Sequence, residues 1–479
     1  MSTPDRFKTA VFHDVEPALV EFISRARWFG GKGRAFSVTD VRMVPLRDGE
    51  PQVSIGLVTL SFSDGGTDVY QTPVASYAEP QDRLGQALVA VVDGRYVYDA
   101  LHDRAATRVW LEAFHEAADG TATVTDPALT FHRAGKHDLD LSTHSTLFSG
   151  EQSNSSVAFG EDALMKVFRR LTPGVNPDIE IHEALTRNGT HSIAELYGWL
   201  ELAPTSPEDE PVQLAMLQQF LPTASDGWDL ALANVRNLVA DDADLHADEG
   251  GGDFAGEAHR LGVAVSEVHE VLRKEFGTQP LDGAATAVAM RQRLDSAIAV
   301  VPELAHHIDA LEKVFSGLGD ATGDMQRVHG DLHLGQTLRT SLGWKLVDFE
   351  GEPAKALAER RLPDSPWRDV AGMLRSFDYA AQSVVKDVNS KDGHAGDGPG
   401  PQIAYRANQW LHRNRTAFLE GYVERRVERG ESALTAAERT IIDAYEADKA
   451  VYEVIYEARN RPTWLDIPLQ AIDRIGAES

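Results

Sequence analysis

The chain has 479 residues, of which 46 are lysine or arginine and 74 are aspartate or glutamate, so its formal net charge is −28. That charge excludes nucleic acid and an anionic membrane surface as main partners, because both require a basic protein face. The absence of cysteine excludes disulfides, thiolate metal sites and a cysteine nucleophile. No apolar run reaches the ~18 residues of a membrane span, and no targeting segment is recognisable, so we expect a cytoplasmic protein.

The first part of the chain, residues 1–90, is predicted to be a small sheet with one helix. Apolar periodicity predicts a helix over 16–27, and alternating apolar and polar residues predict strands over 41–46, 52–62 and 68–74. The glycine-rich segment 30–34 has the wrong spacing for a Walker A loop, so we interpret it as a structural turn.

The middle part, residues 91–221, is predicted to be mixed helix and strand. Helices are expected over 107–118 and 178–188, and strands over 141–148, 156–159, 163–168, 194–202 and 212–220. A polar, proline-rich loop separates the last two strands.

The last part, residues 222–479, is predicted to be mainly helical, which makes the fold class α+β. Long stretches of 3.6-residue period predict helices over 228–240, 254–276, 284–301, 302–318, 367–385, 403–426 and 435–460. A short strand-like pair interrupts them near 327–346, and the Gly/Asp-rich segments 248–253 and 389–400 are predicted loops.

The sharpest chemical signal is a run that contains His329-Gly330-Asp331, then Gln336, then Asp348. This order fits metal-dependent phosphoryl transfer. Asp331 is the predicted catalytic residue, which accepts a hydroxyl proton or orients the nucleophile, while Gln336 and Asp348 offer oxygen ligands to Mg²⁺. An alternative is a hydrolytic metal site made by His329, Asp331 and His333.

A second signal lies upstream, in two predicted strands joined by a turn. Small residues in the turn can donate hydrogen bonds to phosphate, and they include Ser153, Ser155 and Ser156. Lys166 is a charge in an apolar strand and requires a partner. We expect that partner to be Glu180, with Glu183 as the alternative, and the ammonium to bind the α- and β-phosphates.

The order of these motifs is similar to that of the aminoglycoside phosphotransferase-like kinases. Several longer blocks resemble the bacterial maltokinases more narrowly, and they cover most of the chain: GEQSNSS (150–156), KVFRRLTPGVNPDIEIH (166–182), HGDLHLGQ (329–336), DFEGEP (348–353), RDVAGMLRSFDYAA (368–381) and YEADKAVYEVIYEARNRPTWLDIPL (445–469).

This resemblance implies a bilobal fold like that of eukaryotic protein kinases, with an N-terminal cap (1–90), an intermediate subdomain that completes the N-lobe (91–221) and a helical C-lobe (222–479). It implies ATP and Mg²⁺ as cofactors and maltose, phosphorylated at its anomeric hydroxyl for α-glucan synthesis, as acceptor. Gln218 and Phe220 then belong to the hinge that meets adenine. Gln336 departs from the asparagine of wider kinases but keeps an amide oxygen.

The acceptor side is predicted on the helix near the C-terminal end of the sequence. Tyr445, Lys449 and Glu453 recur at helical spacing, and a face that mixes tyrosine rings with charged groups suits a sugar. His333 and Arg375 are further acceptor candidates, although Arg375 could instead brace the catalytic loop. Trp410 and Trp464 are interpreted as core residues.

Three alternatives remain open at this stage. The same fold could phosphorylate glucosamine, another sugar, choline or an aminoglycoside. The chain could be a nucleotide-binding scaffold without catalysis, or the metallohydrolase described above. We expect a monomer that works with a partner enzyme of the glucan pathway, and we expect the cap to rigidify the N-lobe or to dock that enzyme.

Overall fold

The computed structural model describes residues 10–117, 121–123, 126–148, 153–240, 254–352, 355–391 and 401–478. Two compact units are present. Unit 1 comprises residues 1–187 and 194–222, and unit 2 comprises residues 188–193 and 223–479. No helix in the described part of the chain is long and apolar enough to cross a membrane.

Unit 1 begins with an antiparallel sheet and one helix, which we call the cap. The elements are α1 (Ala10–Arg25), β1 (Phe36–Arg47), β2 (Gln52–Phe62), β3 (Thr67–Tyr77), β4 (Leu88–Val92) and β5 (Arg95–Asp99). The strand order is β1-β2-β3-β5-β4. One face of the sheet packs against α1 through an apolar cluster that includes Ile23, Trp28, Phe62 and Tyr70.

The glycine-rich segment 30–34 is a turn that joins α1 to β1. A Cβ atom at Gly31 would lie 2.5 Å from the ring of Phe29, so only glycine fits there. Arg34 closes the turn by an ion pair with Asp64, with 2.6 Å between the guanidinium nitrogen and the carboxylate oxygen. The segment is therefore built as the structural turn that the sequence predicts.

The rest of unit 1 is a second antiparallel sheet with two helices. Its elements are α2 (Arg104–Glu116), β6 (Thr121–Thr123), β7 (Leu129–Arg133), β8 (Ser145–Leu147), β9 (Asn154–Phe159), β10 (Ala163–Phe168), β11 (Arg170–Leu171), α3 (Pro177–Arg187), β12 (Leu196–Leu202) and β13 (Val212–Gln219). The strand order is β6-β7-β12-β13-β10-β9-β8, and β11 pairs with β3 of the cap.

A single apolar core joins the cap to the second sheet. Leu57 and Tyr77 from the cap pack in the same cluster as Trp110 of α2, Phe131 of β7 and Val157 of β9. Their side chains are almost completely buried. Because burial of apolar surface is the main favourable term in folding, the two sheets stabilise each other.

Unit 2 is built mainly from helices. Its elements are β14 (Ser225–Asp226), α4 (Gly227–Ala240), α5 (Ala255–Phe276), β15 (Gln279–Pro280), α6 (Gly283–Val300), α7 (Ile308–Leu318), β16 (Asp324–Met325), β17 (Thr337–Thr340), β18 (Gly343–Leu346), α8 (Leu357–Arg360), α9 (Pro366–Lys391), α10 (Pro401–Glu428), α11 (Ala436–Asn460) and α12 (Asp466–Glu478). Thr435 and Glu438 form a reciprocal capping box that fixes the start of α11.

The predicted α+β class is confirmed, and most predicted elements are present within a few residues. Strands β4, β5 and β7 were not predicted, and the expected helix over 302–318 is a 3₁₀ turn (Pro302–His307) followed by α7. The predicted loop 248–253 lies outside the described residues, as does most of 389–400. The three-part division of the chain stays a prediction.

Candidate active site

Lys166 lies in the middle of β10, between the buried side chains of Met165 and Val167. Its ammonium donates a hydrogen bond to the carboxylate of Asp178, at 3.0 Å. Burial works to raise the pKa of Asp178, but the charges of Lys166 and His182 outweigh it and lower that pKa below its usual range. A strand lysine is therefore held by a carboxylate at the start of α3, which suits the binding of phosphate.

The partner of Lys166 was expected on this helix, but among Glu180 and Glu183 rather than at Asp178. Glu180 lies two residues further along, half-buried, and its assignment stays a prediction. Glu183 lies 3.8 Å from Arg187 on the solvent side. Asp178 is buried in the first turn of the helix, between the buried side chains of Pro177 and Ile179, and this position beside two apolar residues is the signal that could have identified it.

The three serines predicted to bind phosphate differ in their surroundings. Ser153 is exposed just before β9. Ser155 and Ser156 are buried in that strand, where Ser156 lies opposite Lys166. The hydroxyl oxygen of Ser155 accepts a hydrogen bond from Nε of Arg169, at 2.8 Å. Residues 149–152 lie outside the described residues, and the phosphate contacts of the serines stay predictions.

The predicted hinge lies at the end of β13. Gln218 is half-buried and pairs in register with Leu164 of β10. The backbone N–H of Phe220 donates to the carbonyl of Asp162, at 2.9 Å, and is therefore already engaged. The adenine contact of Gln218 and Phe220 stays a prediction.

In unit 2, the segment His329–Asp331 is held in place by Asp369 of α9. The buried carboxylate accepts hydrogen bonds from the backbone N–H of His329 at 2.7 Å, from that of Gly330 at 2.8 Å and from Nε2 of His269 at 2.9 Å. Burial works to raise the pKa of Asp369, but these donors and the neighbouring imidazoles lower it overall. Sequence reasoning missed Asp369, although a carboxylate within the buried stretch of α9 was a usable signal.

Gln336 and Asp348 lie at the two ends of the β17–β18 hairpin. Nε2 of Gln336 donates to Oδ2 of Asp348, at 3.2 Å, so the two predicted metal-binding side chains are adjacent. Asp348 has a φ of 67°, a left-handed conformation that is uncommon for a residue other than glycine and is typical of functional sites. The two side chains are an amide and a carboxylate, and both offer the oxygen ligands that Mg²⁺ prefers.

The ring of His329 is occupied by backbone contacts. Its Nε2 lies 3.0 Å from the carbonyl oxygen of Val347, and its Nδ1 accepts from the backbone N–H of Asp331, at 3.4 Å. Nδ1 of His333 accepts from the N–H of Gly335, at 3.1 Å. Both nitrogens of His329 are thus engaged, which disfavours the alternative metal site of a hydrolase.

Asp331 faces Lys449 of α11. The ammonium donates to Oδ1 of Asp331, at 3.1 Å. Burial works to raise the pKa of Asp331, but the charge and hydrogen bond of Lys449, together with the charges of His333 and His329, outweigh that effect, so the pKa lies below its ordinary value. Burial lowers the pKa of His333. The candidate catalytic carboxylate is therefore ionised, and it is fixed in direction by one ammonium group.

Both residues of this pair line a cavity of about 600 Å³ in unit 2. Aromatic rings, carboxylates and cations share its wall: Asp226, Trp228, Asp229, Asp331, His333, Tyr379, Lys449, Tyr452, Glu453, Tyr456, Glu457, Arg461 and Trp464. Its size lies within the ~300–1,000 Å³ typical of small-molecule sites. Aromatic faces beside hydrogen-bonding groups suit a sugar.

Three of the five predicted acceptor residues, His333, Lys449 and Glu453, line this cavity. The other two do not. Arg375 is 1% exposed and donates to Glu453, at 2.6 Å from Nη2, so it braces that carboxylate from behind. Tyr445 is buried and donates its hydroxyl to Asp364, at 2.5 Å. For Arg375 the structure therefore favours a bracing role over contact with the acceptor. Tyr445 is covered by Asp364, which the pattern of the helix does not reveal.

Trp464 lines the cavity, contrary to the expectation that it is a core residue, whereas Trp410 is 2% exposed and belongs to the core as predicted. The ring of Trp464 stacks beside Tyr379, with 6.4 Å between the ring centroids, and the guanidinium of Arg461 lies 4.6 Å from it. The half-exposed Tyr452 and Tyr456 complete the aromatic part of the wall.

Most charges in the cavity wall are paired. Glu453 binds Arg375, Glu457 binds Arg461 at 2.6 Å, and Asp331 binds Lys449. Within the described ranges, Asp226 and Asp229 have no ion-pair partner, and burial raises the pKa of Asp226. One region of the cavity is therefore more acidic than the rest.

The chain is similar to several known proteins. Residues 22–103 match the family described as the maltokinase N-terminal cap domain. A glucosamine kinase from Streptacidiphilus jiangxiensis is 30% identical over 330 residues, which are 66% of this chain and 70% of that protein. A glucosamine kinase from Mycolicibacterium smegmatis is 27% identical over 338 residues, covering 67% and 77%.

Among solved structures, a glucosamine kinase in complex with glucosamine, ADP and inorganic phosphate is similar over 95% of this chain and 98% of that one. The TM-score is 0.67 and the sequence identity is 23%, a level that establishes the shared fold. A second crystal form of a glucosamine kinase gives the same TM-score, 0.67, at 22% identity.

Proposed function

The chain belongs to the family of maltokinase-like sugar kinases, and we propose that it transfers the γ-phosphoryl group of ATP to the anomeric hydroxyl of maltose. The product is maltose 1-phosphate, which feeds α-glucan synthesis. The observation that carries this proposal is the cavity in which the Asp331–Lys449 pair lies beside the rings of Tyr452, Tyr456 and Trp464. Its volume has room for a disaccharide.

In the proposed reaction, Asp331 orients the attacking hydroxyl and accepts its proton as the bond from that oxygen to the γ-phosphorus forms and the bond from the γ-phosphorus to the leaving ADP breaks. An ionised carboxylate is required for both tasks, and Lys449 keeps Asp331 ionised. Lys449 also bonds the sugar, while Glu453, fixed by Arg375, accepts hydrogen bonds from hydroxyl groups. His333 Nε2 is the ring nitrogen left to bond the acceptor, because Nδ1 is engaged by Gly335.

On the nucleotide side, we assign Lys166, Glu180 and the serines Ser153, Ser155 and Ser156 to the phosphates, and Gln218 and Phe220 to the base. Asp178 holds the ammonium of Lys166. Gln336 and Asp348 would hold Mg²⁺, which when bound neutralises charge on the phosphates. Catalysis then depends mainly on positioning and on electrostatic stabilisation.

A second candidate acceptor is glucosamine. The relatives described above carry that name, and the unpaired carboxylates of Asp226 and Asp229 line the same cavity. An ammonium group on the sugar would find a partner there, whereas maltose offers only neutral hydroxyl groups.

The test is a phosphate-transfer assay with ATP and Mg²⁺ that compares maltose, glucosamine and N-acetylglucosamine, followed by product analysis at the anomeric position. N-acetylglucosamine is the matched control because it retains the ring and removes the positive charge. Turnover of maltose with phosphate on the anomeric oxygen supports the proposal. Turnover of glucosamine alone refutes it in favour of the second candidate, and nucleotide binding without any transfer supports the scaffold.

We also propose that the chain acts as a monomer in the cytoplasm and meets a partner enzyme of the glucan pathway. Sedimentation velocity of the purified protein tests the monomer. A dimer that persists on dilution would contradict it.

A further inference from the structure

Arg169 is a buried arginine at the junction of the cap and the second sheet of unit 1. It follows β10, three residues after Lys166, and its side chain is 1% exposed. The backbone at this point joins the two sheets, because the N–H of Gln71 in β3 donates to the carbonyl of Arg169, at 2.6 Å. A guanidinium group in such a place requires partners, since burying an unpaired charge is costly.

On one side, the cap supplies the partners of Arg169. Nη2 donates to the carboxylate of Asp99, the last residue of β5, at 3.2 Å. The ring of Trp28 lies under the guanidinium, with 4.7 Å from Cζ to the ring. Nη1 also reaches the carbonyl of Gln71, at 3.4 Å. Charge, ring and carbonyl together fix the plane of the guanidinium.

On the other side, Arg169 holds the strand that precedes Lys166. Nε donates to the hydroxyl oxygen of Ser155 in β9, at 2.8 Å. Ser155 pairs with Val167, and Ser156 pairs with Lys166 itself. The guanidinium therefore joins a cap carboxylate to the strand that lies directly beside the predicted phosphate-binding lysine.

We propose that Arg169 is a positioning residue through which Asp99 and Trp28 of the cap align β9 and β10 for nucleotide binding. The proposal rests on the proposed function, since it assigns the phosphates of ATP to these strands. It gives the cap a defined role in the reaction, which is to set the affinity for nucleotide through one chain of contacts rather than through general rigidity.

The same junction contains a matched control. Arg170, the next residue, is paired with Asp68 of the cap at 2.7 Å, but its side chain is 64% exposed. Both ion pairs join the cap to the second sheet, and only the one made by Arg169 reaches β9. Asp68→Asn therefore removes a cap contact without touching the proposed chain.

The experiment is a titration of the full chain with ADP and Mg²⁺ by calorimetry, for the wild type and for Asp99→Asn, Arg169→Lys, the double variant and Asp68→Asn. Loss of a charge-assisted hydrogen bond in the chain should weaken ADP binding about tenfold. The double variant should be no weaker than either single variant, because both break the same chain. The KM for the sugar should stay unchanged in Asp99→Asn, and Asp68→Asn should bind ADP like the wild type.

Three outcomes would overturn the proposal. Asp99→Asn could lower the thermal midpoint and leave the Kd for ADP unchanged, which is the result expected of a purely structural contact. The two substitutions could add, which would mean that they act independently. Asp68→Asn could weaken ADP binding as much as Asp99→Asn does.

If Asp99→Asn fails to fold, Arg169→Lys tests the same chain of contacts. Lysine keeps a positive charge that can pair with Asp99, but it lacks the Nε–H group that donates a hydrogen bond to Ser155. ADP binding equal to that of the wild type in this variant would refute the proposal. Failure of the proposed function is distinguishable, because it appears in the wild type itself, as an absence of transfer to maltose or of ADP binding, before any variant is compared.

Discussion

Asp369→Asn should uncouple the catalytic segment from α9 while leaving the volume of the side chain unchanged. The carboxylate accepts three hydrogen bonds, two of them from the backbone of His329 and Gly330. Asparagine has one acceptor oxygen instead of two. If that oxygen takes the place of Oδ2, it retains the bonds from His329 and His269, and the new amide group then faces the N–H of Gly330.

The magnitude follows from this count. One hydrogen bond to a charged acceptor is lost, worth about 1.5–3 kcal/mol, and a buried N–H is left without an acceptor, which has a similar cost. Since the two effects overlap, we expect Asp369→Asn to lower the free energy of unfolding by about 3 kcal/mol. A movement of the Asp331 segment by ~1 Å should also lower kcat about 100-fold.

The assay combines urea unfolding with sugar phosphorylation at a saturating ATP concentration. Asp387→Asn is the matched control, because Asp387 lies on the same helix with 49% of its side chain exposed, 3.4 Å from Arg236. That substitution should change stability by less than about 0.5 kcal/mol. If Asp369→Asn behaved like Asp387→Asn in both measurements, the assigned role of Asp369 would be refuted.

Three further predictions concern the acceptor cavity and the metal ligands. Lys449→Met removes the strongest charge that opposes the effect of burial on Asp331, so the pKa of Asp331 should rise, and the fall of kcat/KM on the acid side should occur at a higher pH than in the wild type. Lys449→Arg should keep the wild-type profile, and identical profiles for all three proteins would contradict the pairing. Trp464→Ala should raise the KM for the sugar about tenfold at a similar kcat, whereas Trp410→Phe should alter only thermal stability. An unchanged KM in Trp464→Ala would show that the ring of Trp464 does not contact the sugar. Gln336→Ala should raise the Mg²⁺ concentration needed for half-maximal rate at least about tenfold. Gln336→Glu keeps an oxygen ligand and should need a Mg²⁺ concentration close to that of the wild type; equal Mg²⁺ requirements in Gln336→Ala and the wild type would show that Gln336 is not a ligand.

Much of the fold could be predicted because local pattern and tertiary structure agree. The alternating segment of β2 (Gln52–Phe62) and the apolar segment of β10 (Ala163–Phe168) are strands over the predicted residues. In contrast, β7 (Leu129–Arg133) was missed. It has five residues, and its register is set by pairing with β12, far away in the sequence, which no local periodicity reveals.

The acceptor helix shows where sequence reasoning about the site stops. From Tyr445 to Tyr456, α11 rises about 16 Å. Helical spacing correctly places Lys449 and Glu453 in the cavity wall, but Asp364 covers the turn that carries Tyr445. A helical pattern gives the angle of each side chain and not the neighbour that packs over each turn. Trp464 was missed for the same reason, since a tryptophan after a helix does not reveal which surface it meets.

The partners of the charged residues were the hardest to predict. Lys166 was singled out as a buried strand lysine, yet Asp178, which accepts a hydrogen bond from its ammonium, was not among the partners considered. Which carboxylate reaches Lys166 depends on how the first turn of α3 is oriented toward β10, and a difference of a few ångströms in the position of a side chain decides it. Spacing along a helix cannot resolve that difference.

The shared core of unit 1 limits how this family can exchange its parts. Leu57 and Tyr77 of the cap pack in one cluster with Phe131 and Val157 of the second sheet. A chimera that takes its cap from one relative and the rest from another would therefore need matching side-chain volumes on both sides of that cluster. Recombination should succeed at the surface loops of unit 2 before it succeeds at the cap, and the two sheets of unit 1 are expected to have diverged together.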